Sequence, residues 1–219
     1  MEEKMVILYV HGMGGGEDSR IPALLQEALD EVAPGRTRVV VRTYDFHPDK
    51  AAPAIAGWME ELRPRLVIGE SLGSIHALAL KGVPHLLVSP SLNAPIWLGI
   101  AAPLALIPGV SWLFDWIWKP RPGRRQTLHF SWKNLHRWPS YRRKALANSP
   151  AKGGQDAFFA FFGRHDHYRR SGVVRIGTWR KYYGAQSFTV YEGTHFMEEE
   201  YVRTLLRDAV LKYLDDAQD

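Results

Sequence analysis

A chain of 219 residues with 46% hydrophobic content can bury one substantial core, and a single domain of that size is ordinary for an α/β architecture. With no cysteine, disulfides and thiolate metal sites are excluded and a reducing compartment is the natural setting. The formal net charge of +5 is gathered in one place: between Trp116 and Gln155 stand ten basic residues (Lys119, Arg121, Arg124, Arg125, Lys133, Arg137, Arg142, Arg143, Lys144, Lys152) and no acid, whereas elsewhere acids outnumber bases.

Met1-Glu2-Glu3-Lys4 leads into a run too short for a secretory signal and of the wrong charge, which makes a cytoplasmic location the default expectation. That run, Val6 to Val10, reads as a buried strand, bounded by the glycine-rich His11-Gly12-Met13-Gly14-Gly15-Gly16. Ile21 to Val32 has helical spacing, with Ile21, Leu24, Leu25, Ala28 and Val32 on one face. Arg38 to Tyr44 follows as a strand, Ala54 to Leu62 as a helix, Leu66 to Ile68 as a strand, Ser74 to Leu80 as a helix and His85 to Val88 as a strand. Ala157 to Phe162 and Ser187 to Tyr191 are two more strands, and Glu199 to Leu214 is a closing amphipathic helix. Alternating strands and helices predict a mostly parallel, doubly wound sheet of about six strands, with ligands beyond the strands' carboxyl ends.

One segment breaks the alternation. Residues 89–154 are too long and too aromatic for a connecting loop, and six of the eight tryptophans fall there: Trp97, Trp112, Trp116, Trp118, Trp132 and Trp138. Leaving the sheet at a strand's carboxyl end, an insertion over about 90–154 is expected to lie over the site as a cap, with Trp97, Trp112 and Trp116 lining a substrate pocket. The stretch Val88 to Phe114 has no charged residue, yet a membrane crossing there would put strands of one sheet on opposite sides of a bilayer, and Pro95, Pro103 and Pro108 divide it. Two readings remain: a lid enclosing an apolar pocket, or a lid whose outer face meets a lipid interface beside the basic segment.

Gly69-Glu70-Ser71-Leu72-Gly73 follows the apolar run Leu66-Val67-Ile68 and opens a helix. A serine at such a strand-to-helix elbow sits in strained backbone, and the positions two before and two after it must be nearly free of side chain, as Gly69 and Gly73 are. After the next-to-last strand comes Gly163-Arg164-His165-Asp166-His167, and after the last comes Glu192-Gly193-Thr194-His195-Phe196. Ser71, Asp166 and His195 thus stand in the order nucleophile, acid, base. With His11-Gly12 after the first strand, these motifs resemble the α/β-hydrolase superfamily, in particular its short serine esterases with one cap insertion, over nearly the whole chain. The resemblance implies a Ser71, Asp166, His195 triad and an oxyanion hole made by the backbone N–H groups of Met13 and Leu72.

Asp115 and Glu192 are alternative acids to Asp166. His165-Asp166-His167 is a poor metal cluster, because adjacent side chains on one turn cannot all reach one ion. His11 is expected to brace the oxyanion loop, His76 to be a packed helix residue, and Glu70 either to line the pocket or to hydrogen-bond behind the elbow. The implied activity is hydrolysis of a small-molecule carboxylic ester or thioester, anionic or lipid-like, with no metal or organic cofactor. The basic segment suits an anion such as an acidic headgroup or a carboxylate-bearing ester better than nucleic acid, for which there is no motif. The competing reading is a non-catalytic or membrane-peripheral binding protein that uses the basic, tryptophan-rich cap as its interface. Oligomeric state is not legible.

Overall fold

The structure, a computed structural model, describes residues 4–117 and 125–215. β1 (Met5–Val10), β2 (Thr37–Val41), β3 (Leu66–Glu70), β4 (His85–Val88), β5 (Phe158–Gly163) and β6 (Phe188–Tyr191) form one sheet in the order β2-β1-β3-β4-β5-β6, every adjacent pair parallel. The connecting helices are α1 (Arg20–Val32) after β1, α2 (Pro48–Leu62) after β2 and α3 (Gly73–Ala77) after β3. Between β4 and β5 lie α4 (Ala94–Ala101), a 3-10 segment (Ala102–Leu106), α5 (Val110–Ile117), α6 (Trp132–Leu135) and α7 (Trp138–Leu146). α8 (Ile176–Tyr183) joins β5 to β6, and the chain closes with α9 (Glu199–Tyr201), which passes through a π-helical turn (Val202–Leu206) into α10 (Arg207–Asp215).

Strand side chains point alternately to the two faces, and the apolar runs are long enough to furnish both. On one face Ile7, Tyr9, Ile68 and Phe161 pack with Leu25 of α1 and with Leu206 of the closing helix. On the other, Leu8, Val67, Leu87 and Phe162 pack with Ile55 of α2, Ile75 of α3, Trp138 of α7 and Trp179 of α8. From β1 the chain steps outward to β2, crosses back to β3, and continues in the opposite direction through β6. The loops after β1 and β3 therefore diverge, opening a crevice at the carboxyl edge, where Val10 is paired with Gly69.

Three boundaries differ from the sequence reading by three residues or more. β2 ends at Val41 rather than at residue 44, because Tyr44 leaves the sheet to stack on His11, with ring centroids 4.3 Å apart. α2 begins at Pro48 rather than Ala54: His47 Nδ1 caps it by accepting from the Asp49 N–H at 3.1 Å, and Pro48 occupies the first turn, where a missing N–H costs nothing. The elbow helix stops at Ala77, three residues short of the expected end. α8 had no counterpart in the sequence reading; its short apolar stripe buries Trp179 and Tyr183.

The insertion is several short helices, and among the described residues no helix is long and apolar enough to cross a membrane. α7 is its anchor. Trp138 is buried, with its ring 5.7 Å from Phe46 and 5.4 Å from His76.

Burial depresses three histidines: His11 and His85 to about 4, and His76 to about 3, from the usual 6.5. Each is neutral when folded but takes up a proton below about 6.5 once unfolded, so the stability it contributes is complete above that pH and is lost as pH falls toward 4. The urea midpoint should therefore drop between pH 7 and pH 5 by a free energy on the order of a few kcal/mol. In His85→Phe, which keeps the stack on Phe158, the drop should be smaller; an unchanged drop would show that this histidine is not one of the sources.

Candidate active site

Ser71 sits at the turn between β3 and α3 with φ of 49°, a left-handed conformation uncommon for a side-chain-bearing residue. The sharpness of the turn explains its neighbours. A Cβ at Gly73 would overlap the carbonyl oxygens of Val10 and His11, and one at Gly69 would stand 2.7 Å from Ala77 Cβ and 2.9 Å from Ser74 Cα. Ser74 Oγ closes the elbow from below by donating to Gly69 O at 3.1 Å.

Three strand ends bring their side chains to this turn. His195, in the loop after β6, has Nε2 2.8 Å from Ser71 Oγ and Nδ1 2.7 Å from Asp166 Oδ2. Because a carboxylate only accepts, the Nδ1–H donates to Asp166, and Nε2 is left to accept from the Ser71 hydroxyl. Asp166, at the end of β5, is further fixed by the Tyr168 N–H, which donates to Oδ1 at 2.8 Å. Asp166 and His195 are buried. The rings of Tyr168 and Phe196 stand edge-on to the imidazole, at 4.5 and 5.1 Å between centroids. The alternative acids are engaged elsewhere: Asp115 with His129 and the Phe130 N–H, and Glu192 with Arg164 and His165.

Met13 and Leu72 line the same space, and neither backbone N–H has a hydrogen-bond partner among the described residues. The loop carrying Met13 is held from two sides. Behind it, buried His11 donates from Nδ1 to Gly12 O at 2.8 Å, and the Tyr44 hydroxyl donates to His11 O. In front, Gln126 Oε1 accepts from the Gly14 N–H at 3.0 Å, and the Gln126 N–H donates to Gly15 O at 2.7 Å. Arg125 grips Asp18 of the same loop with Nε 2.8 Å from Oδ2. His11 thus braces the loop as the sequence suggests, and His76 is a packed helix residue hydrogen-bonded to the Tyr141 hydroxyl at 2.9 Å.

Ser71 and His195 open into a cleft of about 580 Å³. Glu70 and Trp97 line it, together with Leu98 of α4, Val173 and Met197. Glu70 also hydrogen-bonds away from the cleft, accepting from the Tyr9 hydroxyl at 2.9 Å; burial pushes its carboxyl pKa up, against that bond, the nearby His195 and the Gly12 N–H. Trp112 and Trp116 do not line the cleft. They face away from the protein, 69% and 58% exposed, because the inner side of α5 is taken by Phe114, packed on the core, and by the hydrogen-bonded Ser111 and Asp115. Trp118, Lys119, Arg121 and Arg124 lie outside the described residues.

Sequence reasoning missed Ser91, Gln126 and Tyr168. Ser91 Oγ lies 3.1 Å from Ser71 Oγ, and its N–H donates to Ser71 O at 3.1 Å. It follows the carboxyl end of β4, the one signal that would have singled it out. Gln126 carried none, since its role depends on the insertion folding back onto the first loop. Among the described residues no group of three histidines, aspartates or glutamates converges as a metal site would require.

No protein-family model matches the sequence, and no curated protein does. Solved structures do match over nearly the whole chain. Alpha/beta hydrolase domain-containing protein 10 from mouse superposes with a TM-score of 0.62 at 14% identity, covering 97% of this chain and 90% of its own. The structure reported for LipS and LipT, two metagenome-derived lipolytic enzymes, gives 0.59 at 12%, covering 97% and 94%. The bottromycin epimerase BotH gives 0.60 at 10%, covering 96% and 91%. With its parallel sheet, its crevice between β1 and β3 and its serine elbow at that crevice, this chain has the α/β-hydrolase fold.

Proposed function

We propose that the protein is a serine hydrolase that cleaves a carboxylic ester, or a thioester, through an acyl-enzyme on Ser71. The observation that carries this reading is the continuous hydrogen-bond chain from Ser71 Oγ through His195 to Asp166, opening into a cleft beside two unpaired N–H groups. The fold by itself would not carry it, since BotH, an epimerase, shares it.

Ser71 Oγ attacks the carbonyl carbon while its proton passes to His195 Nε2, and the carbonyl oxygen becomes an oxyanion held by the Met13 and Leu72 N–H groups. Collapse of this intermediate breaks the bond to the leaving oxygen or sulfur, which takes the proton back from the imidazolium. Water then attacks the acyl-serine with His195 as base, and a second collapse releases the acid and restores Ser71. Asp166 stays ionised throughout; it holds the imidazole in one orientation and stabilises its cation. The insertion acts as a cap, with Trp97 and Leu98 as the wall that selects the acyl or alcohol group, and Gln126 positions the oxyanion loop. A hydrogen-bonded triad in an accessible cleft favours this reading over a non-catalytic binding protein.

A fluorophosphonate probe should label the wild-type protein covalently and leave Ser71→Ala unlabelled; labelling that survives the substitution would remove Ser71 as nucleophile. Hydrolysis of a short-chain aryl ester should fall by several orders of magnitude in Ser71→Ala. Gln126→Ala should lower kcat roughly ten- to a hundredfold with KM little changed, and slow labelling in parallel, because a misplaced oxyanion donor weakens the transition state rather than substrate binding. Unchanged kcat would show that the loop holds its shape without this clamp.

A further inference from the structure

α5 turns both of its polar residues away from water. A helix on a water-facing surface turns its polar stripe outward, but Ser111 and Asp115, one turn apart, turn inward beside Phe114, which packs on the core. Ser111 Oγ hydrogen-bonds to the carbonyls of Ala105 and Phe130, each at 3.1 Å, and Asp115 accepts from the Phe130 N–H at 2.9 Å and pairs with His129. The outward stripe is Trp112, Leu113, Trp116 and Ile117. The exposed apolar surface continues over Leu106 and Ile107 to Ile100 of α4, and Asp115 is the one charged residue between Pro90 and Ile117.

We infer that this α4–α5 ridge is a membrane-binding surface that beds into the interface of an anionic lipid layer. Its helices are too short to cross a bilayer, yet their apolar faces suit the headgroup and acyl boundary, where tryptophan is favoured. Charge identifies the occupant. The chain leaves α5 through Lys119, Arg121, Arg124 and Arg125 and meets no acid before Asp156. An apolar face followed in the sequence by a basic segment with no acid matches an acidic headgroup layer, where each cation contributes roughly fivefold to partitioning. A twofold contact with a second copy would instead bring two such basic segments together. The ridge is continuous with the wall of the cleft, since Trp97 and Leu98 of α4 line it. The inference stands independently of the hydrolase reading.

The test is sedimentation of the full chain, as Ser71→Ala so that no lipid is consumed, with vesicles of phosphatidylcholine containing phosphatidylglycerol. The protein should bind at low salt, with a blue shift of tryptophan emission, and more weakly both at high salt and to phosphatidylcholine alone. Trp112→Ser with Trp116→Ser should lower partitioning roughly a hundredfold, about tenfold for each ring withdrawn from lipid. Both side chains are exposed and outside the cleft, so the pair introduced into the wild-type chain should leave the unfolding midpoint and Ser71 labelling unchanged. Absence of binding to anionic vesicles at low salt, or equal binding by the double variant, would overturn the inference. So would a wild-type dimer that binds no vesicles and that the double variant converts to monomer, which would give the ridge to a second copy of this chain.

Discussion

The contact between the end of β1 and the elbow that follows β3 is the constraint on which the site depends. The carbonyls of Val10 and His11 fill the space that a side chain at position 73 would need, so a glycine there is what allows the two strand ends to meet. Much else follows from that meeting. It sets the loop carrying Met13 beside Ser71, and it does so at the point where the strand order reverses, the one place on the sheet edge where consecutive loops part and leave a crevice. The positive φ at Ser71 is the local cost of presenting a hydroxyl from so abrupt a turn, and it is tolerated because Gly69 lets the turn pack against Ser74 and Ala77.

The first loop is supported on both sides, by aromatic rings behind it and by Gln126 and the Arg125–Asp18 ion pair in front. On the buried side the rings of His11, Tyr44, His76 and Tyr141 form a connected stack that ends on α7. Two of these are histidines kept neutral by burial, so the backing is a rigid apolar wall that still supplies hydrogen bonds at its edges. On the open side Gln126 makes two bonds to successive glycines. A glycine-rich loop can approach the elbow closely but cannot hold its own shape, since glycine loses the most conformational freedom on ordering. The insertion supplies that missing restraint, and the segment over the cleft is also part of its foundation.

Most of the sheet was legible because a parallel sheet covered on both faces needs short unbroken apolar runs, and Val6 to Val10, Leu66 to Ile68 and Ala157 to Phe162 stand out between glycine-rich turns. The elbow and the residues after β5 and β6 were legible for a different reason: their chemistry depends on order along the chain, which a sequence displays directly. What escaped was set by contacts distant in sequence. β2 stops early because Tyr44 is needed against His11, and nothing near residue 44 announces that partner. Trp112 and Trp116 were expected in the pocket because a cap needs an apolar inner face, but an apolar helix does not say which way it faces. The signal was in its two polar residues: Ser111 and Asp115 at a spacing of four share one side of α5, and that side is inward because backbone groups of residues 105 and 130 require partners there.

That arrangement separates two kinds of demand within one chain. Ser71, Asp166 and His195 follow the ends of β3, β5 and β6, strands of one sheet buried on both faces, and hydrogen bonds link the three side chains. Their geometry owes nothing to the outer face of α5, whose apolar side chains touch none of them. Exposed tryptophan and isoleucine side chains forgo roughly 1.5–3 kcal/mol each that burial would return, and the protein fixes them outward with polar bonds that could as well have faced water. A surface held against the hydrophobic effect by specific hydrogen bonds is not residual disorder in a cap; it is a built feature. It joins the wall of the cleft through Trp97, and the inferred lipid partner rests on this outward-held surface.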